Sequence, residues 1–309
     1  MKKQIAVILG PTATGKSHCG IALAQALDGE IISGDSMLVY RGMDIGTAKP
    51  TAEELALVPH HMVDILPPEA SFNVVDFKER AERLIDEITA RGKLPIIVGG
   101  TGLYIKALLE DYKFSSKGED SALRAELERL LAEQGKEALY ARLVKSAPAE
   151  AGKIDINNTR RVIRAIEAAE SGDDLSHSKS EELVYDAAVF GLRMERSVLY
   201  ERINRRVDIM LEQGLIEETR RLLEEGVPEM AQSMQAIGYR QTVLYLKGEW
   251  DKATAVDKIK QATRNFAKRQ FTWYKKMPYV KWFNLDAEPN YENVTAEMIK
   301  TVVEKFKIG

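Results

Sequence analysis

The sequence predicts an α/β protein, a parallel sheet flanked by helices and interrupted by a mostly helical insertion. Three observations carry this. The apolar run Ile5-Ala6-Val7-Ile8-Leu9 passes through a glycine-bearing loop into a helix-compatible run reaching Leu27. A second apolar run, Leu94-Pro95-Ile96-Ile97-Val98, enters Gly99-Gly100-Thr101-Gly102, so two strands end in glycine-rich turns. From residue 121 to about 170 only helical patterning is present, and strand character returns at Val184-Tyr185-Asp186-Ala187-Ala188-Val189-Phe190-Gly191-Leu192.

The first strand and loop fix the type of sheet. Gly10-Pro11-Thr12-Ala13-Thr14-Gly15-Lys16-Ser17 lies between a strand and a helix, the order a phosphate-binding loop requires. Gly10, Thr12, Ala13, Thr14, Gly15, Lys16 and Ser17 are the candidate anion-binding residues. Backbone N–H groups turn inward, Lys16 adds a positive charge, and the Ser17 hydroxyl is a candidate Mg²⁺ ligand. The core is therefore expected to be P-loop NTPase-like.

Next, Glu30-Ile31-Ile32-Ser33 reads as a strand delivering Gly34-Asp35-Ser36-Met37 to the ligand-facing edge, on the expectation that strands one and two lie close together. Asp35 can bind a metal ion, accept a proton or cap a helix. Residues 38–50 hold too many glycines for one regular element and read as a loop over the site. A helix is expected over 72–91, with Phe77, Leu84 and Ile88 on one face and Gly92 as its stop. The strand ending at Val98 meets Gly99 without the acid that nucleotide hydrolases use to organise metal and water, which argues against ATP hydrolysis.

Polar stretches at 113–117 and 171–182 bracket the insertion, giving a core over 1–115 and 184–309 with an insertion domain over 116–183. Long helices are expected over 199–225 and 253–277, then a strand at 279–284 and a terminal helix. Between residues 258 and 281 there are eight lysines and arginines and no acid. Helical spacing sets Lys260, Arg264, Lys268 and Lys275 on one face, free to meet an anion, and Ile259, Ala262, Phe266 and Trp273 on the packed face. Arg160, Arg161 and Arg164 form a weaker cluster in the insertion.

Composition excludes other classes. With 45% hydrophobic and 29% charged residues the chain is of ordinary globular type, and no apolar run approaches membrane-spanning length. Met1-Lys2-Lys3 leads straight into a strand, so a cytoplasmic protein is expected. The single Cys19 rules out an intramolecular disulfide and is expected to pack in a helix. His60 and His61 are adjacent, which points their side chains apart in extended chain.

These stretches, together with Tyr40-Arg41-Gly42-Met43-Asp44-Ile45-Gly46-Thr47-Ala48-Lys49-Pro50, Ala236-Ile237-Gly238-Tyr239-Arg240-Gln241 and Lys268-Arg269-Gln270-Phe271-Thr272-Trp273-Tyr274, resemble the tRNA dimethylallyltransferase family over nearly the whole chain. The resemblance implies transfer of a dimethylallyl group from dimethylallyl diphosphate to N6 of adenine 37, beside the anticodon of tRNA. It implies Asp35 as general base and Thr101 as a hydrogen-bonding group at the reacting end of the diphosphate. It also implies tRNA contacts from Asp35, Ser36, Met37, Leu38, Thr101, Leu123, Arg124, Thr159, Arg160, Arg161, Val162, Ile163, Ala236, Ile237, Gly238, Tyr239, Arg240, Gln241, Lys268, Arg269, Gln270, Phe271, Thr272, Trp273, Tyr274 and Lys275. Arg205 and Arg206 are further diphosphate candidates, or plain surface. The enzyme is expected to act as a monomer on the anticodon stem-loop. Three other readings share the loop: a small-molecule kinase, a prenyltransferase acting on free adenine nucleotides, and a non-catalytic RNA-binding protein with a relic phosphate loop, which the intact Lys16, Asp35 and Thr101 argue against.

Overall fold

Strand β1, Gln4–Leu9, is buried along all but its first residue, as an uninterrupted apolar strand with helices on both faces must be. The structure is a computed structural model and describes residues 2–114, 121–171 and 182–308. The chain divides into two compact units, Met1–Asp111 with Glu182–Gly309, and Tyr112–Glu181.

In the first unit the order is β1, α1 (Lys16–Ala26), β2 (Gly29–Ser33), α2 (Ala52–Leu57), β3 (His60–His61), α3 (Val74–Ala90), β4 (Leu94–Gly99) and α4 (Gly102–Leu109). The second unit contributes α5 (Ser121–Ser146), α6 (Pro148–Ala151) and α7 (Thr159–Ser171). The first unit resumes with β5 (Asp186–Met194), α8 (Arg196–Glu212), α9 (Leu215–Glu224), α10 (Tyr239–Leu246), α11 (Lys252–Tyr274), β6 (Lys281–Leu285) and α12 (Tyr291–Phe306).

Among the described residues the strands form one sheet in the order β3-β2-β4-β1-β5-β6, every pair parallel. Alternate residues serve opposite cores. Ile5, Val7, Leu9, Ile32, Ile97 and Val189 face one, with Phe77, Ile85 and Ile88 of α3. Ala6, Ile8, Ile31, Ile96, Val98 and Phe190 face the other, where Cys19 and Leu23 of α1 pack near Met298 and Val302 of α12. No helix among the described residues is long and apolar enough to cross a membrane.

Four sequence expectations need correction. β1 and β2 are not neighbours, because β4 lies between them and pairs with both. The helix expected over 199–225 breaks into α8 and α9 at Gly214, whose φ of 102° no helix continues through. On α3 the buried stripe runs through Phe77, Ala81, Ile85 and Ile88, leaving Leu84 only partly covered. The buried face of α11 is Ala255, Ile259, Ala267, Gln270 and Tyr274, whereas Ala262, Phe266 and Trp273 are only half-buried. A polar Gln and Tyr at buried positions lead to the site.

The second unit has its own core, built on Leu127, Leu139, Leu143, Val162 and Ile166. Inside α5, Gly135 takes φ 81° and kinks the helix. Arg142 pairs with Glu170 at 2.7 Å and with Glu126 at 2.5 Å, which push the guanidinium pKa up. Parts of the expected polar linkers, residues 115–120 and 172–181, lie outside the described residues.

Candidate active site

In a parallel sheet ligands meet the carboxyl ends of the strands, and here three adjacent strands end together. Leu9 is in register with Gly99, and Ser33 with Val98, so the turns opening at Gly10, Gly34 and Gly100 are neighbours. The central strand β4 carries no acid at its end.

The phosphate loop is shaped by backbone conformation. Ala13 sits at φ 67° and Gly15 at φ 84°, the N-cap of α1, so the first amides of α1 open towards the loop. Lys16 Nζ donates to the Pro11 carbonyl at 2.8 Å, and the buried Thr14 hydroxyl donates to the same carbonyl at 2.9 Å. Burial, then the nearby Arg206 guanidinium, brings the Lys16 pKa down to about 8, with Asp35 pulling the other way. Ser17 is exposed, and no described hydrogen bond engages its hydroxyl.

Helix α11 pins this loop to the next. Gln270 accepts from the Thr12 amide at 3.1 Å through Oε1 and donates to the Gly100 carbonyl at 2.8 Å through Nε2. One turn on, the buried Tyr274 hydroxyl lies 3.0 Å from the Gly10 carbonyl and 2.7 Å from that of Gly100. A Cβ at Gly100 would collide with the Gln270 amide, and one at Gly102 would come within 2.5 Å of Trp273 Cβ. The glycines after β4 thus admit α11.

Two cavities meet at Lys16, Ser17, Ala48, Arg206 and Met210. One, about 730 Å³, opens past His18, Asp44, Lys49 and Glu54. The other, about 370 Å³, is lined by Asp35, Ser36, Met37, Leu38, Thr12, Gly100, Val207, Ile237, Phe266 and Arg269 among others. Asp35 Oδ1 accepts from the Met37 amide at 2.8 Å, which holds the carboxylate at the turn after β2. Thr101, the N-cap residue of α4, makes no side-chain cap bond and does not line this cavity, although Gly100 does.

Helix α8 supplies the cation that sequence reading left open. Its buried stripe is Leu199, Ile203 and Val207, and Arg202 and Arg206 each precede a member of it by one residue. Arg202 donates to the Ala13 carbonyl and to the Tyr291 hydroxyl, each at 3.0 Å. Arg206 reaches both cavities; burial lowers its pKa and Asp35 counters this. Arg205 faces solvent. The i, i+4 spacing of Arg202 and Arg206 beside an apolar stripe was the available signal.

The other candidate residues sort into surface and support. Lys268, Arg269, Thr272, Lys275 and Arg240 are exposed. Ala236, Ile237 and Gly238 line the smaller cavity, and Gln241 accepts from the Gly238 amide at 2.9 Å. The side chains of Tyr239, Gln270 and Tyr274 are buried, although Gln270 also lines the smaller cavity, and Phe271 packs against both cores. Lys260 and Arg264 turn to a neighbouring helix instead. Helix α8 takes them, through Asp208 at 2.6 Å from Lys260 and Asn204 at 2.7 Å from Arg264.

In the second unit Arg160 and Arg161 are exposed and Thr159 is half-buried, while Val162 and Ile163 are buried and Leu123 packs against their core. Arg124 donates to Glu167 at 2.8 and 2.9 Å, a bidentate pair that ties α5 to α7.

The fold and this loop define a P-loop-type α/β protein. The model of the family described as IPP transferase matches residues 38–277. A tRNA dimethylallyltransferase of Exiguobacterium is 48% identical over 99% of both chains, and one of Bacillus velezensis is 47% identical over the same shares. The crystal structure of a tRNA isopentenylpyrophosphate transferase from Bacillus halodurans has a TM-score of 0.73 at 44% identity, covering 99% of each chain. A eukaryotic dimethylallyltransferase, captured acting on tRNA, has a TM-score of 0.75 at 27% identity over 97% of this chain and 78% of its own. The chain belongs to the IPP transferase family. It is a prenyltransferase.

Proposed function

We propose that the protein transfers a dimethylallyl group from dimethylallyl diphosphate to N6 of adenine 37 in tRNA, releasing diphosphate. The observation that carries this reading is one cavity lined at once by Lys16, Arg206 and the Asp35 carboxylate. An enzyme that breaks an allylic C–O bond needs cations where the diphosphate accumulates charge, and a base where the nucleophile sheds its proton.

Loop amides, Lys16 and Arg206 would take up the charge that builds on the leaving diphosphate as C1–O breaks. The N6 lone pair forms the new N–C1 bond, and Asp35 accepts the proton that N6 loses. Exocyclic amines are poor nucleophiles, so relief of that proton is essential. The Ser17 hydroxyl, exposed at the start of α1, fits a Mg²⁺ ion that keeps several waters and binds phosphate oxygens. Such an ion would supply further charge neutralisation to the diphosphate. Thr101, beside the Gly100 turn, is the proposed hydrogen-bonding group at the reacting end. Adenine 37 must leave its stack, at a cost of roughly a few kcal/mol that RNA contacts elsewhere offset. The exposed Lys268, Arg269, Lys275, Arg160 and Arg161 are the proposed phosphate contacts.

The test is incubation with Mg²⁺ and labelled dimethylallyl diphosphate, offered an anticodon stem-loop with adenine 37, free AMP, or a kinase substrate panel with ATP. Label in the RNA alone is expected; label in AMP, or phosphate moved from ATP, overturns the reading. Asp35→Asn should lower turnover by about 10²–10⁴-fold while RNA affinity stays within about tenfold.

A further inference from the structure

Glu218 of α9 is 7% exposed and belongs to no part of the chemistry above. Its carboxylate is nonetheless crowded with donors. Oε2 accepts from the amides of Asp44 and Ile45, each at 2.9 Å. Oε1 accepts from Ile45 at 3.2 Å, from the Gly46 amide at 3.1 Å and from the buried Tyr239 hydroxyl at 2.6 Å. Burial, and then the charge of Glu218, pushes the Tyr239 pKa up, so the hydroxyl remains a donor.

The donors come from two separate segments, and both are cavity walls. Asp44, Ile45 and Ala48 line the larger cavity, and Gly46, Thr47 and Ala48 the smaller. Tyr239 opens α10 directly after Gln235, Ala236, Ile237 and Gly238, which also line the smaller cavity. The two walls also touch closely, since a Cβ at Gly46 would lie 2.5 Å from the Tyr239 ring. Three consecutive amides gathered on one anion cannot be satisfied by an apolar substitute or by another amide N–H.

We propose that Glu218 is a positioning residue for prenyl transfer, a buried carboxylate that clamps the 44–48 loop to the start of α10 and so fixes the opening between the two cavities. This rests on the reading that donor and RNA meet there. Lys16, Asp35 and Arg206 sit on other segments, so the clamp acts on how substrate is received rather than on the proton or the leaving group.

The test uses the full chain with Glu218→Gln and Tyr239→Phe. In Glu218→Gln whichever oxygen becomes NH₂ faces donors, so the clamp breaks. Tyr239→Phe removes one of the four donor groups and keeps the fold. Hydrogen exchange at amides 44–46 is expected to quicken by about tenfold or more in Glu218→Gln and less in Tyr239→Phe, with 196–212 unchanged. In steady state the KM for the stem-loop should rise by about tenfold in Glu218→Gln, with kcat within about threefold of wild type, the signature of lost uniform binding. Unchanged exchange at 44–46 overturns the proposal. So does a fall in kcat and melting temperature at constant KM, which marks fold support alone. If the wild type itself prenylates no RNA, the function proposed above fails, and the exchange measurement still decides whether Glu218 clamps these walls.

Discussion

A lysine at the bottom of a phosphate loop carries its charge against the cost of burial, and Lys16 does so beside a second cation. Held down to about 8, it is charged in the free enzyme below that pH and neutral above it. A diphosphate donor with several negative charges needs the charged form. The kcat/KM for donor should therefore be level below pH about 8 and fall above it, approaching tenfold per pH unit. Arg206 is the second cause of the depression after burial, so Arg206→Gln should move the break to higher pH while raising the donor KM. A profile whose break stays put in Arg206→Gln would separate the two cations. Lys16 and Ser17 stood out from loop spacing, whereas Asp35 had three possible roles at the end of β2 until the family resemblance chose the base. Arg206 was set apart from Arg205 only by its i, i+4 spacing from Arg202, and that it turns inwards depends on how α8 lies on the sheet.

At the scale of elements, α11 is where sequence and structure part most clearly. A run of eight basic residues without an acid reads as a single anion-facing surface, but helix α8 packs alongside and occupies two of them. Salt dependence should resolve the two sets. Replacing Lys268 and Arg269 together by Ala should make the log-affinity against log-salt slope for RNA shallower by roughly one to two units. Replacing Lys260 and Arg264 should change that slope less, because those side chains are turned to Asp208 and Asn204 on α8. Gln270 and Tyr274 lie four residues apart on the same helix and tie Gly10, Thr12 and Gly100 together. Tyr274→Phe should then raise the donor KM, measured by initial rates, while leaving the RNA salt slope intact. A motif containing both exposed cations and buried pins looks uniform in sequence because only packing divides one face from the other.

The chain forms two compact units, and each should respond by itself. Leu143 is fully buried in the second unit, and Leu143→Ala should cost that unit about 2–5 kcal/mol. Faster exchange across 121–171 with unchanged protection in β1 and β4 is the expected result; loss of protection in both would mean one cooperative body. The α/β class, the phosphate loop and the helical character of 121–171 were set by local order: strand, glycine turn, helix, then a long run of 3.6-residue periodicity. Tertiary structure alone decided that β4, not β2, stands beside β1, that Arg206 rather than Arg205 enters the cleft, and that Glu218 gathers three amides of a distant loop. Those facts depend on which segments burial brings together from distant parts of the chain, and periodicity within one segment carries no record of its partner.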